Sequence, residues 1–319
     1  MKSVQQEVDE RSNLTGTNKF ELLLFRLGGD AQGEHSELFG INIFKIREIV
    51  AMPAITKVAG APEHVLGVVN LRGQIIQVLD LPSIAGVTPV TGLNIMLVTE
   101  FARTTQAFAV ESVEEIVRLD WSQVMSAERS AASGMVTSIA RLEAQEGNPA
   151  RLAQVLDVET ILRNMNPEEE PDNLEHAVGT KMQIKPGSVI LAADDSVVAR
   201  ALIEQGLEAM GLPFVMTKSG KEAWDQLHTI AGAAEAEGKS VYDKIALVLT
   251  DLEMPEMDGF TLTRNIKSSP RFGNLPVVIH SSLSGNTNEE HVKKVRADAY
   301  VAKFSAEDLS RTLRTILKQ

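Results

Sequence analysis

Four short apolar runs in the carboxyl half of the chain each end in a residue that can do chemistry. Ser188 to Ala193 runs into Asp194-Asp195, and Ile245 to Leu249 passes through Thr250 into Asp251. Pro276 to His280 runs into Ser281-Ser282, and Ala299 to Ala302 into Lys303. Unbroken apolar runs of this length mark strands buried on both faces, which occur in parallel sheets covered by helices. Helical stripes lie between and after them: Ala199, Ile203, Leu207 and Met210, then Leu309, Leu313, Ile316 and Leu317. A short strand near Phe214 to Thr217 and a helix from Lys221 complete five strand–helix units, an α/β sandwich around a parallel sheet. The stretch between Ala231 and Lys244 is long, so the second helix is expected to be extended.

Strand ends in an open parallel sheet line one crevice, where ligands bind. Here that crevice would hold three carboxylates, a hydroxyl and a lysine. Clustered carboxylates repel one another unless a divalent cation joins them, and Mg²⁺ favours a few carboxylates with waters and phosphate oxygens. Phosphoryl transfer to a carboxylate needs positioning and charge compensation more than covalent help. Asp251 is the expected nucleophile, forming an acyl phosphate. Asp195, Asp194 and the backbone carbonyl of Glu253 would join Asp251 in holding Mg²⁺. Lys303 would neutralise one phosphoryl oxygen, Ser281 would donate to another, and the Ser282 backbone N–H would serve the third. Glu253 lies two positions after Asp251, and the bulky Leu283 two after Ser281. Both would hinder attacking water, so slow self-dephosphorylation is expected.

Composition narrows the partners. A net charge of −12 disfavours nucleic acid and anionic lipid. The absence of cysteine excludes disulfides and thiol-based metal sites and suits a reducing compartment. Residues Met1 to Asn13 carry no apolar signal core, and no apolar run approaches the ~18 residues that span a bilayer. The expected location is the cytoplasm, with no insertion into membrane.

The clearest seam is Pro167-Glu168-Glu169-Glu170-Pro171-Asp172, followed by polar sequence to Lys185-Pro186-Gly187, which reads as an exposed linker. It divides the chain into an N-terminal segment 1–19, a first domain 20–166, a linker 167–186 and a second domain 187–319. The first domain has short strands separated by turns, at Phe20 to Leu27, Gln74 to Leu81, Asn94 to Phe101, Gln106 to Val113 and Arg151 to Leu156. That pattern suggests a β-sandwich or barrel. Ile43, Ile46 and Ile49 fit one short helix, and Asp157 caps another ending near Met165. Val68-Val69-Asn70-Leu71-Arg72-Gly73-Gln74-Ile75-Ile76 reads as a hairpin whose four-residue turn exposes Arg72.

Residues 187–319 resemble the receiver domain of two-component response regulators. The resemblance rests on Asp194-Asp195, Asp251 with Met254-Pro255 and Asp258-Gly259, Ser281 and Lys303. It implies a doubly wound five-stranded sheet of the CheY type, in the order 2-1-3-4-5. It also implies that Tyr300 is the aromatic that rotates inward as Ser281 is drawn to the phosphoryl group. Receivers usually follow the lysine with proline, often through a cis bond. Phe304 stands there in this chain, and the loop is expected to be trans and differently shaped.

Residues 20–166 resemble the coupling domain typified by CheW, on Phe20 to Phe25, Phe39-Gly40-Ile41, Ile46-Arg47-Glu48-Ile49, Gly67 to Gly73, Leu79-Asp80-Leu81 and Leu156-Asp157-Val158-Glu159. Members fold as two SH3-like β-barrels and bridge chemoreceptor cytoplasmic tips to a histidine kinase. A CheW-like domain followed by a receiver resembles the CheV family. The resemblance implies a chemotaxis adaptor, recruited to membrane-associated receptor arrays and modulated by phosphorylation, with Asn70, Arg72 and Gly73 as partner contacts. A phosphoacceptor rather than an enzyme is expected. A phosphate sink for the kinase, and a phosphohydrolase using Asp251 with Glu253 as general acid, remain open alternatives.

Overall fold

The computed structural model describes residues 19–29, 37–101, 104–126, 134–144, 150–165, 177–281, 295–303 and 305–318. Two compact units divide the chain, one ending at Met165 and one beginning beyond it.

The first unit is built from two sheets. One comprises β1 (Phe20–Arg26), β2 (Leu38–Asn42), β8 (Ser112–Leu119), β9 (Val124–Ser126), β10 (Val136–Leu142) and β11 (Arg151–Leu156), in the order β8-β1-β2-β11-β10-β9. Strands β8 and β9 are opposite edges, yet only residues 120–123 connect them, so the sheet curls enough to bring those strand ends near one another. The second comprises β3 (Ile46–Ala51), β4 (Val65–Leu71), β5 (Gln74–Asp80), β6 (Ile95–Phe101) and β7 (Thr104–Val110), in the order β3-β6-β7-β5-β4. Its two edges are joined by hydrogen bonds. Thr56, beyond the end of β3, exchanges 2.9 Å backbone hydrogen bonds with Val68 on β4, the far edge. Curling removes the unpaired edges that would otherwise invite aggregation.

Strand β1 shows why its run lacks alternation. Leu22 and Leu24 enter one core with Leu38, Ala140, Leu142, Ala153 and Val155, while Leu23 and Phe25 on the opposite face are also fully buried. Phe25 stacks on Phe39 with ring centroids 6.3 Å apart. Strands β4 to β7 send Val69, Ile76, Val78, Met96, Val98, Ala107 and Ala109 into one core, while Leu79, Leu97 and Phe108, between them in the sequence, are buried as well.

Two local expectations need correcting. Ile43, Ile46 and Ile49 do not share a helix: Asn42 caps a single 3₁₀ turn over Ile43–Lys45, and the chain then extends as β3. A bulge between Ile46 and Glu48 interrupts the period of two, leaving a three-residue spacing that mimics a helical stripe. The hairpin turn is also tighter than expected. Leu71 pairs directly with Gln74, leaving a two-residue loop of Arg72 (φ 51°) and Gly73 (φ 87°), the handedness that matches the twist of antiparallel strands. Asp157 behaves as expected, accepting from the Thr160 N–H at 3.0 Å at the start of α2 (Val158–Met165); α1 (Leu81–Ala85) follows β5.

In the second unit β12 (Val189–Ala193), β13 (Phe214–Thr217), β14 (Ile245–Thr250), β15 (Val277–Ser281) and β16 (Ala299–Ala302) form one sheet ordered β13-β12-β14-β15-β16. All four pairings are parallel, which is the expected 2-1-3-4-5 arrangement. Helices α3 (Val197–Ala209), α4 (Gly220–Ala236), α5 (Gly259–Ser268) and α6 (Ala306–Leu317) flank or follow these strands in the chain. Successive residues of β12 enter different cores. Ile190 and Ala192 pack with Ile203, Leu207, Leu309 and Leu313, whereas Leu191 and Ala193 pack with Ala223, Leu227, Leu262 and Ile266. Helix α4 runs for 17 residues, as the long intervening segment implied.

The linker expectation fails at its carboxyl end. Val178 and Met182 are buried in the core against α3 and α6, so residues 177–186 belong with this unit. Polar composition concealed two apolar anchors four residues apart.

Candidate phosphoacceptor site

The sequence makes the site by stopping strands. Apolar pairing ends at Ala193, Thr250, Ser281 and Ala302, and the next polar groups meet at the carboxyl edge of the sheet. The Asp251 N–H donates to the Ala193 carbonyl at 2.9 Å, holding the start of one loop against the end of the neighbouring strand. One ligand oxygen each from Asp194, Asp195 and Asp251 lies within 4.8 Å of the others; Asp194 and Asp251 are buried and Asp195 is half-buried.

Lys303 is the counter-charge. Its Nζ lies 2.9 Å from Asp194 Oδ2 and 3.0 Å from Asp251 Oδ2, and its side chain is 1% exposed. Three carboxylates outnumber the Lys303 ammonium and the nearby Arg200 guanidinium, leaving negative charge in a mostly buried crevice. A divalent cation with oxygen ligands fits that surplus and that donor set. Such an ion would supply charge neutralisation for an incoming phosphoryl group.

Hydrogen bonds fix the carboxylates before any ligand arrives. Asp194 Oδ1 accepts from the Ser196 N–H at 3.0 Å, and Asp251 Oδ1 accepts from the Leu252 N–H at 2.7 Å. Ser196 also caps α3. Buried Leu252 and Met254 anchor the loop after Asp251. Gly259 completes that anchor: its N–H donates to the Leu252 carbonyl at 2.8 Å, and a Cβ there would stand 1.9 Å from the Asp251 carbonyl oxygen. Asp258 caps α5 by accepting from the Thr261 N–H at 2.6 Å. Burial pushes the Asp258 carboxyl above its ordinary value, with Thr261 and Arg264 pulling the other way.

The remaining expected groups fall as follows. Ser281 is buried at the end of β15, and its carbonyl accepts from the Lys303 N–H at 2.9 Å, so hydroxyl and ammonium sit on adjoining strand ends. Tyr300, on β16, pairs with Ile279 on β15; it is half-buried and its hydroxyl is enclosed. Glu253 is half-buried with both carboxylate oxygens enclosed. Ser282, Leu283 and Phe304 lie outside the described residues, and with them the expected backbone N–H contact and the bond after Lys303.

Arg200 is a member that motif reading missed. It is buried on α3, and its Nη1 donates to the carbonyls of Asp194 at 3.0 Å and Asp195 at 2.7 Å, holding the acid pair by its backbone. A signal was present. Positive charge is disfavoured near a helix amino terminus, so an arginine four residues into α3 implies a local acceptor.

In the first unit Asn70 Oδ1 accepts from the Gly73 N–H at 2.9 Å and so shapes the hairpin turn. Arg72 is 76% exposed, but its guanidinium reaches Glu48 on β3 at 2.6 Å, across the seam where the second sheet closes. These three residues form a polar tip on the second sheet of the first unit.

Residues 21–165 match the CheW-like domain family, and residues 190–314 match the response regulator receiver domain family. Chemotaxis protein CheV3 of Helicobacter pylori is 29% identical over 97% of this chain and 98% of its own length. The chain carries a CheW-like domain followed by a receiver domain and is similar to CheV proteins over nearly its whole length. Chemotaxis protein CheV2 of the same organism is 28% identical over 98% of this chain and 99% of its own. Among solved structures, scaffolding protein TtCheW from Thermoanaerobacter tengcongensis covers 45% of this chain at 24% identity, with a TM-score of 0.38. Both halves of a CheV chain are thus present in order, an all-β CheW-like unit and a CheY-like receiver. This is a chemotaxis signalling protein of the coupling type that carries a receiver. No helix among the described residues is long and apolar enough to cross a membrane.

Proposed function

We propose that the chain couples chemoreceptor cytoplasmic tips to a histidine kinase, and that phosphorylation of Asp251 adjusts that coupling to produce adaptation. The observation that carries this reading is the buried crevice of Asp194, Asp195 and Asp251 bridged by Lys303. Asp251 attacks the phosphorus of the kinase's phosphohistidine: a P–O bond forms as the P–N bond breaks, and the ring leaves as neutral imidazole, keeping the proton its other nitrogen already carried. Mg²⁺ would be held by Asp194, Asp195, Asp251 and the Glu253 carbonyl, and would offset charge on the transferring group. Lys303 then exchanges Asp251 for a phosphoryl oxygen, and Ser281 donates to another. As Ser281 moves, Tyr300 rotates toward the vacated space and the receiver changes state. Enclosed Glu253 keeps water from attacking, so the acyl phosphate is long-lived. The chain acts as a phosphoacceptor, with self-catalysed transfer and slow hydrolysis, and turns over no external substrate.

Asn70, Arg72 and Gly73 at the hairpin tip serve as partner contacts of the CheW-like domain, which spans 20–166, with the receiver from 187 onward preceded by its connector. The working location is the cytoplasmic face of receptor arrays.

The test is reconstitution of receptor signalling fragments, kinase and this chain on vesicles, with kinase ATP turnover measured before and after Asp251 is phosphorylated. Receptor-dependent turnover that requires the chain, and shifts on phosphorylation, is expected. Turnover that ignores the chain would sink the coupling role. Turnover that requires the chain but ignores the phosphate would leave only a phosphate sink.

A further inference from the structure

Residues 177–182 attach to the receiver across two of its helices. Val178 and Met182 enter the core, but the attachment is otherwise polar and directed at two helices. The Met182 N–H donates to the carbonyl of Met210, the carboxyl cap of α3, at 2.8 Å. From α6, the buried Ser310 hydroxyl donates to the Val178 carbonyl at 2.6 Å, and Arg314 Nη2 donates to the same carbonyl at 3.0 Å and also to that of Thr180. The segment thus straps the far end of α3 to the middle of α6.

Both helices begin at the phosphoacceptor site. Helix α3 starts two residues after Asp195, and α6 starts three residues after Lys303. Arg200 ties the first turns of α3 to the Asp194 and Asp195 carbonyls, and Lys303 ties the entry to α6 to Asp194 and Asp251. Replacing the Asp251 carboxylate by a larger, more highly charged acyl phosphate must rearrange the Lys303 bridge. Packed helices answer such local changes by shifts of about 1–2 Å. A hydrogen-bonded strap across two helices tolerates little of that, because N–H···O bonds keep to about 2.7–3.2 Å and weaken steeply once bent.

We propose that residues 177–182 form a phosphorylation-sensitive strap: docked across α3 and α6 when Asp251 is free, loosened when it is phosphorylated. This names the receiver's output as the grip on its own connector, the covalent path toward the CheW-like domain. It rests on the reading of Asp251 as phosphoacceptor. By linkage, whatever loosens the strap must favour the phosphorylated state by the same factor.

Hydrogen exchange on the full chain tests it, in Mg²⁺ with and without beryllofluoride, which mimics a phosphoryl group, and with Asp251→Asn as control. The Met182 amide should exchange at least about fivefold faster with beryllofluoride in the parent and be unaffected in the control. The Ser310→Ala/Arg314→Ala double variant should exchange fast at Met182 without beryllofluoride and bind the mimic more tightly. If the mimic protects the loop after Asp251 while Met182 exchange is slower or changes by less than about twofold, the strap is overturned and the phosphoacceptor reading stands. If the mimic changes nothing near Asp251, the phosphoacceptor reading falls and the strap with it.

Discussion

Replacing Lys303 by methionine removes the ammonium that bridges Asp194 and Asp251 while keeping most of the side-chain volume. The ammonium contacts Asp194 at 2.9 Å and Asp251 at 3.0 Å, and both carboxylates are buried with it. At ~3 Å and an effective dielectric of ~20, each contact is worth ~5 kcal/mol before desolvation is counted. Removing one partner of a buried pair costs about 3–5 kcal/mol, because the orphaned charge stays behind. Half-buried Asp195 lets water approach, which argues for the lower end of that range. The receiver should therefore lose ~3 kcal/mol in chelator. Mg²⁺ should return more stability to Lys303→Met than to the parent, since the cation no longer competes with the ammonium for the same oxygens. At one hundred times its Kd a ligand stabilises by about 2.7 kcal/mol, a shift easily resolved. Urea unfolding followed by tryptophan fluorescence measures this, because the chain has two tryptophans, Trp121 in the CheW-like unit and Trp224 in the receiver. A variant within ~1 kcal/mol of the parent in chelator, or one that gains no more than the parent from Mg²⁺, would refute the electrostatic argument.

Three further outcomes follow from particular contacts. Arg200→Ala frees the carbonyls of Asp194 and Asp195 and should weaken Mg²⁺ binding about tenfold, read by calorimetric titration; unchanged affinity would show that the acid pair holds itself. Gly259→Ala places a Cβ 1.9 Å from the Asp251 carbonyl oxygen, so the urea midpoint should fall by the equivalent of about 1–3 kcal/mol and phosphorylation should slow. At Glu111 burial pushes the carboxyl up, but hydrogen bonds from Thr91 and Val90 and the charge of Arg26 outweigh it and hold the group below its ordinary 4.5. Its stabilising effect is therefore complete above the ordinary value and lost as pH falls through the lowered one. Glu111→Gln should flatten the acid side of the pH–stability curve of the CheW-like unit, followed at Trp121.

The receiver was legible because its strands are buried on both faces and end abruptly in polar residues. Val189–Ala193, Ile245–Thr250 and Val277–Ser281 appear in the sequence as apolar blocks, and the order of their terminal residues carried the chemistry. The CheW-like unit was harder. Its bulge at Ile46–Glu48 gave a strand the spacing of a helix, and barrel closure through Thr56–Val68 and Arg72–Glu48 joins positions that no local pattern relates. Val178 and Met182 were hidden for a different reason. Two apolar residues in a polar stretch look like a linker unless the groove that receives them is known, and most of the strap's attachment uses its own carbonyls, which every residue possesses. Arg200 acts through carbonyls as well, so its role lies in a helix position rather than in a motif.

The central claim is that Asp251 accepts a phosphoryl group in a crevice prepared by Asp194, Asp195 and Lys303. Transfer from ³²P-labelled chemotaxis kinase to the purified full chain, with Asp251→Asn alongside, tests it most directly. The account predicts acid-stable, alkali-labile label on the parent that requires Mg²⁺ and is absent from the variant. Equal label on the variant, or none on a folded parent in Mg²⁺, would contradict it.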